Sequence, residues 1–144
     1  MATIVIFGNS GSGKSTLAKK LCHQQDKAHL DLDTLAWQPV TPPERNPLSE
    51  SKALIDRFMS SNQDWVIEGC YSDLLEVALH AASEIIFMNL TVDKCIQNAR
   101  QRDWEPHKYE SKRAQDANLE MLIDWIGQYY LRQDLFSQSA HLKL

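Results

Sequence analysis

The sequence predicts an α/β protein built on a parallel sheet, and three observations carry that reading. The N-terminal run Ile4-Val5-Ile6-Phe7 is apolar and rich in β-branched residues, the signature of a strand buried on both faces. It passes without a break into a glycine-rich turn and then into an amphipathic segment bearing Leu17, Ala18, Leu21 and Cys22. Four further strand-like stretches, at 28–33, 64–69, 85–90 and 140–144, follow at intervals, most of them separated by helical patterns. That alternation favours a doubly wound parallel sheet flanked by helices.

The turn after the first strand reads Gly8-Asn9-Ser10-Gly11-Ser12-Gly13-Lys14-Ser15-Thr16. Its spacing, Gly8-x-x-x-x-Gly13-Lys14-Ser15, is the phosphate-binding loop pattern. Gly8, Gly11 and Gly13 allow positive φ and let backbone amides approach a polyphosphate without an intervening Cβ. The helix opening at Lys14 adds the positive end of its dipole. Lys14 is expected to reach the β- and γ-phosphates of ATP, and the Ser15 hydroxyl to ligate Mg²⁺.

Ala28-His29-Leu30-Asp31-Leu32-Asp33 alternates, with Leu30 and Leu32 on one face and His29, Asp31 and Asp33 on the other. Two carboxylates then point the same way at the sheet edge where α/β ligands bind, as site residues or as solvated turn caps. Residues 38–47 hold four of the five prolines and read as a loop within one domain. A helix is expected over 48–62 with Leu54, Ile55, Phe58 and Met59 as its apolar stripe. Arg57 lies off that stripe, either solvated or holding an anionic acceptor group.

Asp64-Trp65-Val66-Ile67-Glu68-Gly69 reads as the third strand. An apolar strand ending in a carboxylate is how such enzymes hold Mg²⁺, the alternative being a surface charge at Glu68. Ser72 and Thr91 look like helix N-caps, the first opening a helix with Leu74, Leu75, Ala78 and Leu79. Cys70 and Tyr71, between strand and helix, line the pocket if Glu68 does, with Cys70 a bystander rather than a nucleophile. The charged stretch 103–115, with Pro106 inside, suits a mobile lid carrying Lys112 and Arg113, or a solvated connection. A long helix is expected over 116–133, and Ala140-His141-Leu142-Lys143-Leu144 as a fifth strand.

The 144 residues suit a single domain, 1–144. Fifteen basic against nineteen acidic residues give a formal charge of −4, which speaks against a nucleic-acid surface. Three scattered cysteines, Cys22, Cys70 and Cys95, suggest neither a disulfide framework nor a zinc site and fit a reducing, cytoplasmic setting. No stretch has the length and apolarity of a membrane span, so no membrane partner is expected.

Three pieces in order resemble the nucleoside-monophosphate kinase and shikimate kinase group of P-loop kinases. They are Gly-Asn-Ser-Gly-Ser-Gly-Lys-Ser-Thr (8–16), His-Leu-Asp-Leu-Asp-Thr-Leu-Ala-Trp (29–37) and Trp-Val-Ile-Glu-Gly-Cys-Tyr (65–71). The resemblance is closest to adenylate-kinase-related bacterial proteins labelled DNA-topology-modulation proteins. It implies a three-layer P-loop NTPase fold, a five-stranded parallel sheet of order 2-3-1-4-5, and an acceptor bound over strands 2 and 3. It further implies that Asp33 orients the acceptor hydroxyl, that Asp31 helps hold Mg²⁺, and that Arg57 binds the acceptor. Arg100 then lies over the adenine, Arg113 stands in the lid at about 103–115, and Glu68 and Gly69 line the acceptor site.

The glycine-rich third-strand turn of shikimate kinases is reduced here to Gly69, and the Asp-Gly-Phe-Pro-Arg turn of adenylate kinases is absent. Neither shikimate nor AMP is singled out as acceptor. ATP-dependent phosphoryl transfer to a small molecule is therefore the expected function. The alternatives are a nucleotide-binding regulator linked to DNA topology and a simple NTPase with water as acceptor.

Overall fold

The computed structural model describes residues 2–40 and 42–144. Four parallel strands, β1 (Thr3–Gly8), β2 (Ala28–Asp31), β3 (Trp65–Gly69) and β4 (Glu84–Met88), form one sheet of order β2-β3-β1-β4. β1 and β3 are buried along their whole length, which is why they read as unbroken apolar runs. Their register pairs Ile6 with Glu68 and Phe7 with Gly69, while β2 sets Asp31 opposite Glu68.

The helices are α1 (Lys14–Gln25), α2 (Asp33–Ala36), α3 (Leu48–Ser61), α4 (Ser72–Leu79), α5 (Val92–Arg100), α6 (Lys112–Gly127) and α7 (Gln138–Leu142). Alternation along the strands sends side chains to two cores. Ile4, Ile6 and Val66 pack on Ala18 of α1, with Leu17 and Leu21 at the margin. Val5, Phe7 and Ile67 face the other way, onto Leu32, Leu35, Ala36, Ile55, Leu74, Leu75 and Ala78. The sheet is thus sandwiched between α1 on one face and α2, α3 and α4 on the other. A third cluster, Cys95, Ala99 and Ile126, joins α5 to α6.

The fifth strand expected over 140–144 is a correction: the sheet has four strands, and those residues fall in α7 and its end. Ser137 caps α7, its hydroxyl accepting from the Ala140 amide. His141 is then drawn inward, donating from Nε2 to the Cys70 carbonyl at 2.8 Å and meeting the Tyr129 hydroxyl through Nδ1 at 2.7 Å. A five-residue alternation cannot compete with a cap and two buried hydrogen bonds.

Smaller shifts have similar local causes. β2 stops at Asp31, and Asp33 opens α2 rather than extending the strand. Tyr71, not Ser72, occupies the N-cap position of α4. Ser111 caps α6 through the Ala114 amide, so that helix starts at Lys112 and ends at Gly127 instead of running over 116–133. Thr91 caps α5 as its sequence indicates, accepting from the Lys94 amide. The proline loop over 38–47 includes Thr41, which lies outside the described residues. Its flanks close on each other through the Gln38 amide and Glu44 carbonyl at 2.8 Å, and Asn46 ties it to the Leu35 carbonyl at 2.7 Å.

Candidate functional site

The C-terminal ends of β1, β2 and β3 bring the candidate residues to one edge of the sheet. Gly8–Gly13 curl from β1 into α1, with Gly11 at φ 80° and Gly13 at φ 90°. The curl is packed from behind by α5. A Cβ on Gly11 would lie 2.3 Å from the Cys95 carbonyl oxygen, and Asn98 Nδ2 donates to the Gly11 carbonyl at 2.8 Å. Asn9 is buried and its Nδ2 reaches the Ile126 carbonyl at 3.4 Å. The Lys14 ammonium folds across the loop onto the Asn9 carbonyl at 2.7 Å. At the N-terminus of α1 the first-turn amides have no partner inside the helix, which leaves an anion cradle. Ser10, Ser12, Ser15 and Thr16 complete the loop, and Arg102 approaches Ser10 Oγ at 3.4 Å.

Glu68, at the end of β3, is only 2% exposed. The Ser15 hydroxyl donates to its Oε2 at 2.5 Å, and His29 Nε2 lies 3.3 Å from the same oxygen. Burial alone would raise the Glu68 carboxyl. The hydrogen bonds from His29 and Ser15 and the Lys14 charge outweigh it and hold the group below the usual carboxylate range. Asp31 faces Glu68 from β2. Burial, then the Glu68 and Asp33 charges, push its carboxyl up, although Lys108 and the Asp33 amide (2.9 Å to Oδ1) pull the other way.

Asp33 is held from two sides. The Tyr71 hydroxyl donates to its Oδ1, and Trp37 Nε1 in turn donates to the Tyr71 oxygen at 2.9 Å. The Lys108 ammonium sits 2.7 Å from Asp33 Oδ2, 3.2 Å from Glu105 Oε2 and 3.7 Å from Asp31 Oδ2. Burial would raise Asp33, but Lys108, Tyr71 and Lys14 keep it ionised below the ordinary carboxylate range. Burial opposes the charge on Lys108, yet the Asp33 and Asp31 carboxylates raise its ammonium above the usual lysine range. Burial pushes Tyr71 up, so its phenol keeps its proton and remains a donor. Burial also pushes the Cys70 thiol up to about 12, which leaves no thiolate for nucleophilic work.

These contacts gather Lys14, Ser15, Asp31, Asp33 and Glu68 around one cleft, with Gly69 directly beneath, its backbone close against Leu32. Arg57 is elsewhere. It lies two residues past the buried Ile55 and about 200° round α3 from it, so it points outward, exposed and without an ion pair among the described residues. Arg100 is exposed and meets Glu120 of α6 at 3.6 Å, and Arg113 is exposed in the first turn of α6. From the charged stretch, Lys108 and His107 reach the acids instead, and Glu105 pairs with both of them. Nothing in the sequence separates these three from neighbouring charges, because their placement depends on how the chain folds back after α5. Trp37 carried only the signal of its distinctive piece at 29–37, whereas the position of Tyr71 between strand and helix already marks it as a pocket-lining residue beside Glu68.

A magnesium ion fits this donor set. No group of three or more His, Cys, Asp or Glu among the described residues is arranged to hold a metal alone. Asp31 and Glu68 nevertheless crowd two carboxylates beside the Ser15 hydroxyl, as suits an ion shared between protein oxygens and bound phosphates. No helix among the described residues is long and apolar enough to cross a membrane.

Comparison with solved structures finds likeness to a gluconokinase from Sinorhizobium meliloti 1021. The identity is 18% and the TM-score 0.48, with 83% of this chain and 73% of that one covered. A deoxyadenosine kinase from M. mycoides with bound dATP shows 12% identity and TM-score 0.47, covering 93% of this chain and 88% of that one. No curated protein matches the chain. A family profile described as an AAA domain matches residues 4–118, from β1 through the phosphate loop into α6. The chain belongs to that AAA domain family of P-loop proteins.

Proposed function

We propose that the protein is an ATP-dependent kinase of small hydroxyl compounds, related to the nucleoside-monophosphate kinase and shikimate kinase group. The observation that carries the reading is Asp33, an ionised carboxylate fixed by Tyr71 and Lys108 within electrostatic reach of the phosphate-loop lysine. In a kinase such an acid positions the acceptor hydroxyl, and acceptor-stimulated ADP release separates this from the same acid positioning water.

In this reading the backbone of residues 8–16 cradles the triphosphate. Lys14, which reaches the Asn9 carbonyl across the loop, turns to the β- and γ-oxygens. Ser15, Asp31 and Glu68 are the residues that would hold magnesium, whose contribution is to neutralise charge between the β- and γ-phosphates. Asp33 accepts a hydrogen bond from the acceptor hydroxyl. As the acceptor oxygen bonds to the γ-phosphorus, the bond from that phosphorus to the β,γ-bridging oxygen breaks and the hydroxyl proton passes to Asp33. Its low proton affinity suits orientation first and proton acceptance late in a loose transition state. Arg100, Arg113 and Arg102 are the arginines of the α5–α6 region available to the nucleotide, and Arg102 already touches the loop.

The experiment compares Lys14→Ala and Asp33→Asn with the parent chain by Mg·ATP titration calorimetry and by acceptor-dependent ADP release. Asp33→Asn is expected to bind ATP and lose transfer, whereas Lys14→Ala loses turnover by at least about two orders of magnitude. Failure of the parent chain to bind nucleotide with Mg²⁺ present refutes the reading.

A further inference from the structure

The cationic side chains nearest Asp33 are already engaged. Lys108 is shared by Asp33, Asp31 and Glu105. Arg45, stacked 5.0 Å from the Tyr71 ring, is held by Asp73 at 3.1 Å. Arg57 points outward on α3. Lys14 is committed to the nucleotide. An acceptor bearing a phosphate or carboxylate would therefore meet three carboxylates sharing one ammonium. If it drew Lys108 to itself, Asp31 and Asp33 would be left facing each other uncompensated.

The same groups suit a neutral ligand with several hydroxyls. A cavity of about 290 Å³ is lined by Asp31, Thr34, Glu105, His107 and His29, and Asp33 adjoins it through its amide hydrogen bond to Asp31 and the Lys108 it shares with Asp31 and Glu105. Its volume is at the small end of ligand clefts. Its one lysine, Lys19, is exposed and shares the lining with two carboxylates, Asp31 and Glu105, which outnumber it. A carboxylate with free lone pairs accepts hydrogen bonds from two adjacent hydroxyls, while His107 can return a donor and the Thr34 oxygen, whose proton goes to the Asp31 carbonyl, can accept one. Trp37, 40% exposed, spends its ring N–H on Tyr71 and offers the rest of the indole as a flat apolar surface within two hydrogen bonds of Asp33.

We propose that the phosphate acceptor is an uncharged polyhydroxyl compound of monosaccharide size, seated between Asp31, Glu105 and Trp37 with its reacting hydroxyl on Asp33. This rests on the kinase reading above and names its substrate class. The acceptor hydroxyl donates to a free lone pair of Asp33 while Lys108 stays shared among Asp33, Asp31 and Glu105, so a neutral ligand leaves the charge balance of the site unchanged.

The test measures ADP release from Mg·ATP with neutral aldoses and polyols, each beside its anionic counterpart, a sugar acid or sugar phosphate, and with nucleoside monophosphates. At least one neutral compound is expected to stimulate release about tenfold over the acceptor-free rate, with kcat/KM at least about tenfold above its anionic counterpart. In Glu105→Gln that preference is expected to narrow several-fold, because one of the repelling charges is gone. An anionic acceptor used as well as or better than its neutral counterpart overturns the proposal. So does an unchanged preference in Glu105→Gln, or stimulation by no neutral compound while calorimetry shows ATP bound. Absence of ATP binding strikes instead at the kinase reading beneath it.

Discussion

Gly11 and Gly13 give a matched pair for testing how the phosphate loop is held. Both have positive φ, 80° and 90°, so alanine at either pays for the left-handed backbone, about 1–2 kcal/mol. Their surroundings differ. At Gly13 a Cβ would stand 3.6 Å from the Met88 Cε methyl, an ordinary contact, while at Gly11 it would stand 2.3 Å from the Cys95 carbonyl oxygen. That oxygen is backbone of α5 and cannot swing away. The helix must retreat by about 1 Å to restore normal contact, at a cost typical of overpacking, about 1–3 kcal/mol more.

For a domain of this size one kcal/mol moves Tm by roughly 3–4 °C. Gly13→Ala is therefore expected to lower Tm by roughly 3–8 °C and Gly11→Ala by roughly 6–20 °C. Thermal melts give the first comparison, and Mg·ATP calorimetry on whatever folds gives the second. Gly11→Ala should also loosen the Asn98 hydrogen bond and weaken nucleotide binding more than its partner does. Equal Tm losses, or a larger loss for Gly13→Ala, would refute the claim that α5 forms the back wall of the loop.

Two further outcomes follow from the polar contacts. Tyr71→Phe removes the donor to Asp33, a hydrogen bond to a charged group worth about 1.5–3 kcal/mol; the Trp37 N–H it also frees is near solvent. Acceptor-dependent kcat should fall while ATP affinity holds, and a fall in ATP affinity alone would contradict the assignment of Tyr71 to the acceptor side. The buried His141 has its proton affinity lowered, by burial first and then by the Lys14 and Arg132 charges. The unfolded chain binds that proton more readily, so stability is full above the unfolded value near 6.5 and declines as pH falls below it. Melts at pH 7.5 and 5.5 should show a larger Tm drop for the parent chain than for His141→Gln, and equal drops would remove His141 as a source of acid sensitivity.

What could be read from the chain followed the range of the interactions. Ile4–Phe7, Trp65–Gly69 and the loop 8–16 specify their structure locally, through apolar runs and a fixed glycine spacing, and the parallel sheet with its phosphate loop was legible for that reason. The closeness of Asp31 and Asp33 was legible too, although the amide of Asp33 closing on Asp31 Oδ1, not strand alternation, holds them together. Residues 140–144 misled because Leu142 and Leu144 alternate with polar neighbours, while the capping Ser137 and the buried partners of His141 lie outside that window. Lys108 was hidden among the charges of 103–115. Its selection over Lys112 depends on a fold-back onto β2 and α2 that no local pattern encodes. Lys112 instead pairs along its own helix with Asp116 at 2.9 Å.

The bond from His141 to the Cys70 carbonyl reaches from the last helix to the residue just before Tyr71. The tail thus steadies the side of the cleft that carries Asp33, while the nucleotide side is braced separately by Asn98 and Arg102. If the proposed kinase reading holds, damage to α7 is expected to blunt acceptor use and spare ATP binding, the short helix then acting as a splint for the acceptor side alone.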